Sequence, residues 1–330
     1  MYNVIILKID RMKGIKMKRE LTTSMAHILA LFTIIIWGTT FIASKLLLAY
    51  YSPVQIMLIR FAIAYGVLWI LRPKVLKLSR KEEMRFLVLG LLGCTLYFLT
   101  ENYALTYTMA SNVSILVAAA PIFTAILAHF FLEDEQLKPS IFLGFLIAII
   151  GVALVVFNGT VILKLNPLGD MLSIGAALCW ASYSVLLKKQ IHSYDCLLLT
   201  RRVMLWGFVT ALPIGLLEGR PFLIAPMLND GSLLFCVLYL GILGSGICYV
   251  LWNKAIQKLG TVVTNNYIYV NPFSTMVAAT FVLKEQLSLM GIGGAVLILI
   301  GVFIADKKVP LNLEKSRLLS QEHTKKDWQI

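Results

Sequence analysis

Apolar residues fill this chain in blocks of about twenty, separated by short stretches rich in Lys, Arg, Gly and Pro. Blocks of that length, closed by basic residues or by Pro and Gly breaks, suit helices that cross a hydrocarbon core of ~30 Å. The pattern predicts ten of them, at 26–48, 54–71, 86–106, 109–132, 139–157, 168–187, 199–217, 232–253, 260–283 and 288–305. The connections are short, and none is long enough to form a soluble domain. Residues 158–167 read as a linker, with basic tails at 1–24 and 307–330. The expected architecture is an all-α integral membrane protein of ten transmembrane helices.

The blocks fall into two copies of one five-helix pattern, over 25–157 and 168–306. Trp37 and Lys45 recur as Trp180 and Lys188, at an offset of 143. Gly90, Gly93, Asn102, Ala104 and Pro121 recur at 151 as Gly241, Gly244, Asn253, Ala255 and Pro272. Glu135, Gly144 and Gly151 recur at 150 as Glu285, Gly294 and Gly301. A half with an odd number of spans ends on the side opposite to its start, so the second copy is expected upside down. Inverted repeats of this kind serve alternating access in secondary transporters.

Charge adds an orientation. Most Lys and Arg fall in the two tails, in the 72–85 region and in loops that an inside N-terminus places on the cytoplasmic side. The outer loops carry only Lys164, Arg220 and Lys284. This asymmetry predicts both termini inside, in the cytoplasmic membrane. The net charge of +13 therefore reflects topology and not nucleic-acid binding. The five cysteines lack a CxxC pair and the four histidines lack ligand spacing, so neither metal nor cofactor is expected. No Walker A motif is present, which excludes ATP hydrolysis by this chain.

Ionisable groups inside spans are costly and mark functional positions. Glu101, Arg60 and Lys45 all fall toward the outer third of the membrane and form a candidate gating or coupling cluster, with protons as a candidate partner. Glu101 aligns with Trp252 in the second copy, so its carboxylate has no counterpart. Aromatic and amide side chains are the candidate substrate contacts. Trp37 and Phe41 share a helix face, as do Trp180 and Tyr183, and Tyr97 with Glu101. Tyr249 and Trp252 add rings from the eighth block. Rings suit amphipathic or cationic metabolites through stacking and cation–π contact. Asn102, Ser111, Asn112, Asn265 and Asn271 supply polar groups beside Pro121 and Pro272, which are expected to kink the fourth and ninth helices.

The span-one Trp37-Gly38-x-x-Phe41, the span-two Arg60-Phe61, the run from Ala110-Ser111 to Ala120-Pro121 and its partner from Thr261 to Asn271-Pro272 resemble the drug/metabolite transporter superfamily, in its ten-span EamA-type branch. The resemblance covers about residues 25–306. The aromatic and amide side chains suit amino acids or related compounds, amines and drugs as cargo, and a monomer or homodimer is expected. The resemblance implies an inner-membrane carrier that exports or exchanges small metabolites without ATP. It also implies a central cavity lined by spans one, three, four, six, eight and nine. Glu101-Asn102 departs from the apolar or aromatic residues usual in that span. A membrane-embedded enzyme, or a sensor or assembly subunit that transports nothing, are the competing readings.

Overall fold

The computed structural model describes residues 21–108, 110–133, 139–157, 166–221, 225–283 and 289–306. Every regular element among them is helical. Six helices are long and apolar enough to cross a membrane: α1 (Thr23–Leu47), α2 (Pro53–Leu71), α3 (Arg80–Tyr107), α7 (Pro167–Lys188), α8 (Cys196–Glu218) and α10 (Gly231–Leu259). Between and after them lie α4 (Ala110–Val117), α5 (Ala120–Phe131), α6 (Pro139–Phe157), the short α9 (Ala225–Asn229), α11 (Thr261–Asn266), a 3-10 stretch at Tyr267–Val270, α12 (Asn271–Leu283) and α13 (Leu289–Asp306). The six long helices are the first three of each expected half.

Local chemistry fixes the helix starts. Ser52 and Gln55 cap one another reciprocally ahead of Pro53, and Ser79 and Glu82 do the same for α3. Asp195 accepts from the amides of Leu197 and Leu198 at the start of α8. Gly260, at φ 90°, turns the chain sharply between α10 and α11, a conformation that a side chain resists.

The fourth and ninth expected spans are interrupted helices instead of kinked single ones. α4 gives way to α5 just before Pro121, and α11 passes through the 3-10 stretch to α12 just before Pro272. Proline lacks the amide that would continue the ladder and crowds the preceding turn. The two breaks fall at repeat-matched positions.

α3 and α10 each contain a wide, π-helical segment, Leu91–Leu96 and Tyr239–Ile247. Leu91–Leu96 maps onto the C-terminal part of Tyr239–Ile247 at the offset of 151. Such i→i+5 turns are rare and recur at functional sites.

Glycines set the helix seams, and their contacts come in pairs. A Cβ on Gly151 would lie 2.6 Å from the Gly294 carbonyl oxygen and 2.7 Å from the Ile298 nitrogen. A Cβ on Gly301 would meet the Gly144 oxygen at 2.6 Å and the Ala148 nitrogen at 2.7 Å. Every residue of the first contact maps onto the second at the offset of 150. The same reciprocity holds elsewhere. Gly90 of α3 abuts Trp206 of α8, and its counterpart Gly241 of α10 abuts Ile63 of α2. Gly93 abuts Tyr183, and its counterpart Gly244 abuts Thr40. Ile63 and Trp206, like Thr40 and Tyr183, are separated by the offset of 143. Small residues let helix backbones approach where lipid supplies no hydrophobic drive.

At the expected cytoplasmic end, α8 holds the segment that follows α2. Arg201 donates from Nη1 to the Arg72 carbonyl at 2.6 Å and from Nη2 to the Lys74 carbonyl. Its guanidinium lies 4.4 Å over the Trp69 ring. Arg72 pairs with Asp195, and Arg202 with Glu83. Tyr194 donates to Glu82 at 2.5 Å. Burial, followed by this bond and the charge of Glu82, pushes the Tyr194 hydroxyl up to about 12.

Candidate functional site

Four helices bring one aromatic cluster to the middle of the molecule. Trp37 of α1 meets Trp180 of α7 edge-on, with ring centroids 5.1 Å apart and an interplanar angle of 87°. Trp252 and Tyr249 of α10 lie 5.0 Å and 5.4 Å from Trp37. Tyr97 of α3 lies 5.3 Å from Trp180, as does Tyr183. The repeat-related tryptophans therefore touch one another directly. Edge-to-face rings place the positive rim of one against the negative face of the next.

Two carbonyls within the wide segments fix the cluster. The carbonyl of Gly244 accepts the indole N–H of Trp37 at 2.9 Å. The carbonyl of Gly93, its repeat counterpart, accepts the Tyr249 hydroxyl at 2.8 Å. Trp180 finds a different acceptor, Asn265 Oδ1, at 2.9 Å. Asn253 bonds Thr200 at 2.9 Å and also accepts from Tyr183 at 3.4 Å.

Beside the cluster lies a cavity of about 20 Å³, room for roughly one water. Its aromatic wall is Trp37, Phe41, Tyr97, Trp180 and Tyr249, and its charged wall is Arg60 with Glu101. Val117 ends α4, Ile268 lies in the 3-10 stretch and Asn271 begins α12, so both broken spans reach the cavity. Arg60 is 2% exposed and Glu101 3%. Arg60 donates from Nε to Ser245 at 2.8 Å and stacks 3.9 Å over the Phe98 ring. Among the described residues its buried Nη1 has no partner. Tyr97 and Arg60 are the polar groups that act on the Glu101 carboxylate, and no hydrogen bond joins Arg60 to Glu101. At the matching positions the second half has Val203 and Trp252, so this charge pair exists once.

The remaining expected site residues lie around this centre. Lys45 donates to the Leu105 carbonyl at 2.5 Å, one turn beyond Glu101 along α3. Asn102 is fully buried behind the cavity and donates to the Pro53 carbonyl at 3.4 Å. Tyr183 and Trp252 stand in the second row of the cluster, and Asn265 serves Trp180. The side chains of Ser111 and Asn112 lie outside the described residues, although the backbone of α4 is described. Phe98, Thr40 and the two glycine carbonyls join the site without having been expected. The neighbouring Arg60 and Glu101 are a signal for Phe98, since buried guanidinium groups seek ring faces. A wide turn, and the carbonyl it presents, leaves no mark in the sequence.

The EamA-like transporter family model matches residues 24–157 and again 167–305. This chain belongs to the EamA-like transporter family. The two matches make its halves separate copies of one domain. An uncharacterized transporter of Archaeoglobus fulgidus is 30% identical over 290 residues, covering 86% of this chain and 98% of that one. The uncharacterized transporter YyaM of Bacillus subtilis is 29% identical over 290 residues, covering 85% and 93%. A probable amino-acid metabolite efflux pump of Escherichia coli is 25% identical, covering 84% and 93%. A solved crystal structure shares the fold at a TM-score of 0.68 and 20% identity, covering 86% of this chain and 99% of the other. An EamA-like transporter works in a lipid bilayer on a small molecule, and membership sets aside the enzyme reading.

Proposed function

We propose that this transporter is a secondary carrier of ten spans, built as two five-helix halves of opposite orientation. It exports small metabolites, amino acids or related compounds among them, by alternating access. The observation that carries this reading is the direct contact of Trp37 with Trp180 beside a small cavity that both halves line. The reciprocal glycine contacts support a twofold relation between the halves, because each contact has its mate. The two interrupted helices and the pair α6 and α13 complete ten crossings beside the six long ones. Broken, repeat-matched helices at a repeat interface are where carriers place their substrate. The basic tails and loops support an inside location for both termini. The printed name of the Escherichia coli relative favours outward movement of amino-acid metabolites.

Glu101 and Arg60 form the charged side of this cavity, and Lys45 ties α1 to α3 just beyond them. Separation of α1 from α3 would break the Lys45 contact and open the site outward, which makes the cluster a gate. Protons are the candidate coupling ion through Glu101. Purified protein in liposomes tests the reading. Flux of preloaded amino acids, set against empty liposomes, is the expected outcome. Chemical turnover of the cargo, or no flux for any metabolite that accumulates in cells lacking the gene, would overturn it.

A further inference from the structure

Arg60 enters the membrane interior with a fixed orientation and one unused edge. Its Nε is held by Ser245 and its face by Phe98. The buried Nη1 has no partner among the described residues. Glu101 borders the same cavity, and no hydrogen bond joins the two groups. A buried charge is costly unless it is paired and hydrogen-bonded.

We infer that Arg60 and Glu101 read the two ends of a zwitterionic head group, with the carboxylate on Arg60 and the ammonium on Glu101, while the ligand's apolar body lies against Trp37 and Trp180. This rests on the transport reading and narrows its cargo. Charge balance favours such a ligand. The cavity holds one cation and one anion. A simple amine would leave it with a net positive charge, and a simple acid with a net negative one, in a setting that screens charge weakly. A zwitterion satisfies both groups and leaves no net charge. Arg60 also suits a carboxylate by shape, since its planar fork meets two oxygens. Asn271, the first residue of α12, also borders the cavity. The cavity of about 20 Å³ is far smaller than such a ligand. Binding therefore parts the tryptophans, which makes their fluorescence a direct reporter.

The test uses the intact transporter and two sets of matched probes. Phenylalanine is compared with phenethylamine and 3-phenylpropionate, and leucine with isoamylamine and 4-methylvalerate. Binding is read from tryptophan fluorescence and flux from liposomes. At least one amino acid should bind tenfold or more tightly than its own amine and acid. Arg60→Gln should remove that advantage over the amine, and Glu101→Gln the advantage over the acid. Arg60→Lys, which keeps the charge, should retain part of it. The wild-type series needs no substitution, so a variant that fails to fold does not blunt the test. Equal binding of amine and zwitterion, or binding of none of the six, overturns the inference. Preferred binding of the zwitterion without flux would leave the inference standing and sink the transport reading.

Discussion

The indole N–H of Trp37 donates to the carbonyl oxygen of Gly244 at 2.9 Å, within the wide turn of α10. The bond ties the cavity wall of the first half to the backbone of the second. Trp37→Phe keeps a ring but leaves that carbonyl without its donor, at a cost of about 1–3 kcal/mol. A lower unfolding temperature in detergent is expected, together with slower flux. An unchanged melting curve would show that the bond contributes nothing.

Glu101 has no carboxylate counterpart in the second half, so it is the place to look for coupling. Glu101→Gln is expected to abolish the dependence of flux on external pH while the protein stays folded. If rate and pH profile both match the wild type, Glu101 has no part in the mechanism.

The glycine seams make a prediction with a built-in control. Gly151→Ala forces a Cβ to within 2.6 Å of the Gly294 oxygen, a backbone atom that cannot rotate away. Overpacking of this kind costs about 1–3 kcal/mol. Gly293→Ala lies on the same helix pair with nothing within 4 Å of its Cβ and should be neutral. Thermal unfolding followed by size exclusion separates them. Helix propensity favours Ala over Gly at both positions, so an undiminished stability of Gly151→Ala would show that the close contact costs nothing.

Arg201 holds two backbone carbonyls after α2 with one planar group. Arg201→Lys supplies a single point donor and cannot span both. Limited proteolysis within residues 72–79 should speed up several-fold in this variant. A wild-type cleavage rate would show that the Arg72–Asp195 pair alone secures the segment.

The Tyr194–Glu82 bond gives a pH dependence with a definite sign. The neutral hydroxyl is the donor, and its ionisation is pushed up to about 12. Its contribution is complete below the ordinary tyrosine value of about 10 and is lost as pH rises toward 12. The difference in melting temperature between wild type and Tyr194→Phe should hold up to pH 10 and shrink above it. A difference that disappears between pH 6 and 8 would assign the effect to another group.

Much of the fold is legible in the sequence because lipid demands long apolar blocks. The helix starts are less so: apolar patterning begins spans three and seven at 86 and 199, whereas the caps Ser79 and Asp195 begin the helices at Arg80 and Cys196. The repeat is legible through Trp37 and Trp180, which sit on one cavity wall. What stays hidden is backbone. Nothing about Leu91–Leu96 announces a wide turn, so the acceptors on Gly93 and Gly244 cannot be read ahead. Asn102 reads as a cavity amide because it neighbours Glu101, yet successive residues on a helix point about 100° apart. Its side chain goes instead to the Pro53 carbonyl.

The reciprocal seam between α6 and α13 has a consequence for ancestry and for engineering. Gly151 on Gly294 and Gly301 on Gly144 are two readings of a single contact. A surface that fits its own repeat copy does not need the copy to be on the same chain. Two separate half-length polypeptides would meet through the same glycines. Joining the two matched halves in one chain then fixes their stoichiometry, a task that two free halves would leave to chance.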